Sequence, residues 1–276
     1  MLFFSTNHYL KVVLCCLVLF VTSVTFASCG GGSGSISDSA KEYVADTEIA
    51  QVFADPDAFK GKYIRLSGRV FNDVEKKGST FYFQMWADSE MNKNTIVSYN
   101  GEIDGLTSDV YVIVDGLIAG TFHGENAFGA KLTAPQITAD SLQVVSYMEA
   151  FAPAIKTIVP ENNAINQGGY IVTIDKIEFA QQETRVHMTV QNSGSAAFNL
   201  YSFNSLLLQN GKQYETDSKY DADYPEIQTG LLSGNTTQGI MVFPSVPMSD
   251  FQLRFEASSE DWDEDLQDYV FDVVVE

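Results

Sequence analysis

The chain has 276 residues, 45% hydrophobic and 12% aromatic, which argues against compositional disorder and supplies enough core-forming chain for two domains. Its 36 acidic residues against 16 basic ones give a formal net charge of −20, so nucleic acid is not an expected partner. All three cysteines fall among the first 29 residues, so no disulfide framework holds the body together.

Taken from the N-terminus, Lys11 precedes an apolar run over 12–26 broken only by Thr22, Ser23 and Thr25, and small Ala27 and Ser28 follow it. A charged edge, an apolar middle and a small-residue end are the layout of a secretory signal. The 16 residues of 12–27 fall short of the roughly 20 needed for a membrane-spanning helix. Phe26-Ala27-Ser28-Cys29 resembles the lipobox of bacterial lipoprotein precursors. The resemblance implies acylation of the Cys29 thiol, cleavage after residue 28, and a membrane partner reached through that lipid. It also implies a place in the bacterial cell envelope, on the outer face of the cytoplasmic membrane or at the cell surface. An uncleaved helix and cleavage without lipid are the alternatives. Cleavage would leave a body with 15 basic and 36 acidic residues, a charge of −21 and a lone cysteine.

Residues 29–45, rich in Gly and Ser at their start, read as a flexible tether. No Gly-Lys-Ser/Thr follows those glycines, so they are not a phosphate loop. A short helix is expected from Asp46, with Ile49, Val52 and Phe53 on one face and Asp55-Pro56 ending it. Strands follow. Ile64, Leu66, Gly68 and Val70 alternate with Tyr63, Arg65, Ser67 and Arg69, and Phe81, Phe83 and Met85 alternate with Tyr82, Gln84 and Trp86. Further strands are expected at 95–99, 110–119 and 130–145, the last bent at Pro135. Five strands in this stretch suit a small closed barrel. The run Phe59-Lys60-Gly61-Lys62-Tyr63-Ile64-Arg65-Leu66-Ser67-Gly68-Arg69-Val70, with the Asp55-Pro56 helix end before it, resembles OB-fold modules of exported bacterial lipoproteins, distantly similar to tRNA anticodon-binding domains. The resemblance covers 46–146.

Pro153, Pro160 and Asn162-Asn163 mark 147–168 as an expected linker. From 169 to 276 a second block holds seven or eight short strands joined by Asn-Ser-Gly, Asn-Gly and Ser-Gly-Asn turns, the pattern of an antiparallel sandwich. Val190-Gln191-Asn192-Ser193-Gly194, Leu208-Gln209-Asn210-Gly211-Lys212-Gln213-Tyr214 and Leu232-Ser233-Gly234-Asn235-Thr236 resemble, in that order, the telokin-like, immunoglobulin-fold domains of unknown function in bacterial lipoproteins. The expected fold is therefore all-β: a short helix, an OB-like barrel and an immunoglobulin-like sandwich.

Chemistry-bearing motifs are sparse. His123 reads as a loop residue and His187 as a solvent-facing strand residue, and no His-Glu-x-x-His, Cys-x-x-Cys or Gly-x-Ser-x-Gly element is present. Asp261, Asp263 and Asp265 have the opening spacing of a calcium loop, but Leu266 stands where such a loop needs glycine, so a solvated acidic turn is expected. Asp217, Asp221 and Asp223 form a second acidic loop with Tyr220 and Tyr224, where tyrosines could serve recognition. The non-core faces of the first two barrel strands gather Tyr63, Arg65, Arg69, Tyr82, Gln84 and Trp86, the arginine and aromatic mixture with which an OB-type surface holds an extended ligand. Packing of one of these faces against the second domain or the helix is the competing reading. Residues 46–146 carry 14 acids and 8 bases, a net of −6, which favours an envelope protein or glycan over nucleic acid as ligand. The functional expectation is a non-catalytic binding or interaction module without cofactor or metal. The alternatives are an accessory or catalytic hydrolase with a carboxylate site, and a structural spacer in the envelope.

Overall fold

A computed structural model describes residues 40–125, 129, 131–218 and 222–276. The signal segment, Cys29, residues 30–39, Tyr220 and Asp221 lie outside the described residues. The chain divides into two units, Met1–Val144 and Val145–Glu276. Both are built from β-strands, and their helices are one or two turns long.

In the first unit the expected helix is split. A 3-10 turn, Asp46–Glu48, runs into α1 (Ile49–Ala54), and Ala45 rather than Asp46 holds the cap position, its N–H donating to Glu48 Oε2 at 3.4 Å. Val52 is fully buried, with Ile49 and Phe53 packed beside it. The strands are β1 (Tyr63–Val70), β2 (Glu75–Lys77), β3 (Thr80–Trp86), β4 (Asn94–Asn100), β5 (Tyr111–Glu125) and β6 (Lys131–Val145). Their order is β1-β5-β6-β4-β3, and β1 returns to β3 through Arg69↔Trp86 and Val70↔Met85, so five strands close into a barrel. All the pairings with a stated register are antiparallel except β4 with β6, the arrangement of an OB-type barrel. β2 continues along the β3 edge that β1 leaves. Alternation explains the core: Ile64, Leu66, Val70, Phe83, Met85, Val97, Val112, Val114, Ile118 and Ile137 all point inward. At the closing corner Gly68 has no room for a side chain, since a Cβ there would stand 2.7 Å from Met85 Sδ and 2.8 Å from the Trp86 carbonyl oxygen. β6 runs through Pro135 without a break. His123 lies at the exposed end of β5 rather than in a loop.

The tether reading is corrected at its C-terminal end. Tyr43 forms a parallel bridge with Tyr63, and the Val44 and Tyr63 amides donate to the Tyr63 and Glu42 carbonyls, each at 2.8 Å. Val44 is buried in the barrel core, so apolar burial straps 42–44 onto β1.

The second unit begins with α2 (Tyr147–Phe151), whose Ser146 and Glu149 form a reciprocal capping box. It continues with β7 (Lys156–Ile158), β8 (Ala164–Gln167), β9 (Tyr170–Phe179), β10 (Glu183–Asn192), β11 (Phe198–Leu200), β12 (Leu206–Gln209) and β13 (Lys212–Glu215). The last four strands are β14 (Thr236–Pro244), β15 (Phe251–Phe255), β16 (Ala257–Ser259) and β17 (Tyr269–Val273). One sheet is ordered β14-β10-β9-β7, with β8 also on β9; the facing sheet is β13-β12-β15-β17, and β11 pairs with β16. Val172, Ile174, Phe179, Val186, Met188 and Phe243 from the first sheet share one core with Leu207, Leu253, Phe255 and Phe271 from the second, making an antiparallel sandwich. The expected linker 147–168 is corrected as well. It folds as α2, β7 and β8, because both strands complete the free edge of β9.

Candidate functional site

The six residues singled out on the barrel wall all lie on the outward phase of β1 and β3, but the wall separates them. Register gives the reason. β1 and β3 meet only at Arg69↔Trp86 and Val70↔Met85, so moving toward Tyr63 on β1 and toward Tyr82 on β3 leads away from the corner in opposite directions. At about 3.3 Å per residue, Tyr63 and Tyr82 stand roughly 30 Å apart along the wall. A single ligand footprint over all six is therefore corrected to three separate groups.

The first group is engaged by the chain itself. Lys41 Nζ sits 4.5 Å from the Tyr63 ring centroid and pairs with Asp140, and the Tyr43 hydroxyl donates to both carboxylate oxygens of Asp115 at 2.9 Å. Arg65, with an exposed side chain, reaches the same carboxylate at 4.0 Å. The third group is Tyr82 with Lys77, whose Nζ is 5.6 Å from the ring centroid.

The middle group is the candidate site. Trp86 stacks on Phe71 with ring centroids 4.3 Å apart and planes 20° from parallel, and both rings are half-buried. Arg69, paired with Trp86 across the strands, donates from Nη2 to Asp109 Oδ1 at 3.1 Å. Asp109 holds a left-handed backbone (φ 68°) while its amide donates to the Val70 carbonyl at 2.8 Å, which fixes the carboxylate beside the guanidinium. Amides complete the group. Asn72 Oδ1 accepts the Gln84 N–H at 2.7 Å, and Gln84 Oε1 accepts from Asn94 Nδ2 at 3.2 Å. Asn94 Oδ1 is enclosed without a hydrogen-bond partner. An aromatic stack flanked by an ion pair and amides offers apolar contact, donors and acceptors on a small surface. Sequence alternation found Arg69, Gln84 and Trp86. It missed Phe71 and Asn72, which follow β1 directly but lie past its alternation, and Asn94 and Asp109, which come from the start of β4 and the loop before β5.

A denser charged cluster lies in the second unit, on the face of β9 and β10 away from the core. Arg185 is 1% exposed. Its Nη1 donates to Glu183 Oε1 and to the Ala152 carbonyl, each at 2.7 Å, and its Nε donates to Glu178 Oε2 at 3.0 Å. Lys176 pairs with Glu178, the Tyr224 hydroxyl donates to Glu183, and His187 Nε2 lies 3.1 Å from Glu178 Oε2. Burial pushes the Glu178 carboxyl up, but hydrogen bonds from Lys176, Arg185 and His187 outweigh it and hold the group at about 2. Burial lowers His187, against the opposing pull of Glu178, and burial with the Glu183 carboxylate raises Tyr224. The solvent-facing reading of His187 is thus corrected: it is largely buried. Tyr224 likewise packs edge-on against Tyr147 rather than presenting itself for recognition. The six groups satisfy one another, so the cluster fastens α2 and the Tyr224 loop to the sheet.

Among the described residues no group of three or more His, Cys, Asp or Glu side chains is placed to hold a metal ion, and no helix is long and apolar enough to cross a membrane. No protein-family model matches the chain, and none of the curated proteins compared with it does. The function therefore rests on the geometry.

Proposed function

We propose that the protein is an exported, lipid-anchored binding module of the bacterial cell envelope, tethered through Cys29 and non-catalytic. It combines an OB-like barrel with an immunoglobulin-like sandwich of the lipoprotein type. The observation that carries the binding reading is the Phe71–Trp86 stack beside the Arg69–Asp109 pair and the Gln84 and Asn94 amides. Arg69 is neutralised by Asp109, so the group suits an uncharged ligand rich in hydroxyl or amide groups, a glycan or an extended peptide, better than a polyanion.

The test is titration of Trp86→Ala and Arg69→Ala variants, first shown to keep the wild-type unfolding temperature, against a panel of envelope glycan and peptide fragments. Loss of the stack is expected to weaken binding by about 1 to 3 kcal/mol, by analogy with base stacking on aromatic side chains. Equal binding by wild type and Trp86→Ala would remove the site from this corner of the barrel.

A further inference from the structure

We propose that the loop between β16 and β17 docks a cationic segment of a partner protein, with Trp262 as its anchor. The proposal is independent of the barrel site. Trp262 is 100% exposed, whereas the aromatic rings of the sandwich core are shut away from water. A bare indole on a soluble face invites a partner, because burying it releases a large apolar area.

Two further observations say what kind of partner. Residues 260–268 contain six acids, Glu260, Asp261, Asp263, Glu264, Asp265 and Asp268, and no lysine or arginine. Arg254 reaches in from β15 to pair with Asp268. Beside the loop lies an open, mostly polar groove of about 430 Å³ in which Leu266 and Val270 stand among Gln252, Gln267, Asp265 and the Arg254–Asp268 pair. Asp268 is taken by Arg254, so Leu266 and Val270 with Asp265 and the neighbouring loop carboxylates are what a lysine or arginine side chain, apolar along its stem and charged at its end, would meet here. The indole face itself is the strongest aromatic acceptor for such a cation. Another copy of this chain, at −20, is repelled by the same carboxylates, and so is an anionic membrane.

The loop is also held ready. Asp261 N–H donates to Ser259 Oγ at 3.1 Å, Leu266 packs against the sandwich core, and Gln267 and Gln167 exchange hydrogen bonds of 2.9 and 2.8 Å. Ends fixed in this way reduce the ordering cost of binding.

The experiment measures binding of the full-length chain to a fluorescent peptide of alternating arginine and leucine, with its glutamate–leucine counterpart and phosphatidylcholine vesicles as the other arms. Trp262→Ala is expected to weaken binding of the cationic peptide about fivefold to tenfold, with Trp262→Phe intermediate, in the range of a partly desolvated cation–π contact. Asp263→Asn with Asp265→Asn is expected to weaken it about threefold and to flatten its salt dependence. Because Trp262 is fully exposed, its variants keep the wild-type unfolding temperature. Unchanged affinity in Trp262→Ala, equal binding of the anionic peptide, vesicle binding that falls in Trp262→Ala, or self-association that depends on Trp262 would each overturn the proposal.

Discussion

Arg185 is the largest fully buried side chain among the described residues, and it is a cation. Removing one member of a buried ionic group leaves its partners uncompensated, so Arg185→Met is expected to destabilise the second unit by about 3 to 5 kcal/mol in urea unfolding. Replacing Glu178, Glu183 and Arg185 together by apolar residues of similar size should cost much less, because no orphaned charge remains. The same cluster sets a pH dependence. Glu178 sits at about 2 in the folded protein against 4.5 ordinarily, so its contribution is present above pH 4.5 and is lost as pH falls toward 2. His187 is lowered from 6.5 by burial, so the unfolded chain takes up its proton first and stability begins to fall as pH drops below 6.5. Melting curves from pH 8 to 3 should show both steps, and His187→Gln should remove the first. Alternation on β10 already placed His187 off the core face. That α2 and the Tyr224 loop cover this face is a non-local fact, with no signal in the strands themselves.

At the scale of elements, the barrel strands were legible because period-2 alternation states both where a strand lies and which face is buried, as Ile64, Leu66 and Val70 show. The site was legible only in part. Alternation says that Arg65, Arg69 and Trp86 point outward, but the offset between β1 and β3 decides which of them are neighbours, and that offset is set by barrel closure. Gly68 records the closure directly, so Gly68→Val is expected to cost about 1 to 3 kcal/mol by forcing β3 away at the corner, visible as a lowered unfolding temperature with the Phe71–Trp86 stack disturbed. The stretch 147–168 misled because its prolines and asparagines mark short edge strands as readily as a linker; what holds β7 and β8 is β9. A fragment starting at Val145 should therefore unfold cooperatively alone. One starting at Gly168 strips α2, β7 and β8, and removes the Ala152 carbonyl from Arg185, so it should be far less stable. Equal stability of the two fragments would show that the added elements contribute nothing.

For the whole molecule, charge and anchor pull in opposite directions. An acidic body is repelled by anionic lipid headgroups, so attachment in the proposed reading depends on the acyl chains at Cys29, the only cysteine left after cleavage. The sequence carried that reading in the apolar run over 12–26 and in the four-residue motif that closes it. Cys29→Ser should shift the protein from the membrane pellet to the soluble fraction, or leave it as an unprocessed precursor. The separation should not depend on salt. An acidic body clinging to membranes by charge alone would be released or retained according to ionic strength, whereas the lipid-anchored wild type should stay in the pellet at both low and high salt. Intact mass of the wild-type protein is the sharper measurement: a free thiol at Cys29 would end the anchoring proposal while leaving the barrel site and the Trp262 loop to be judged by their own experiments.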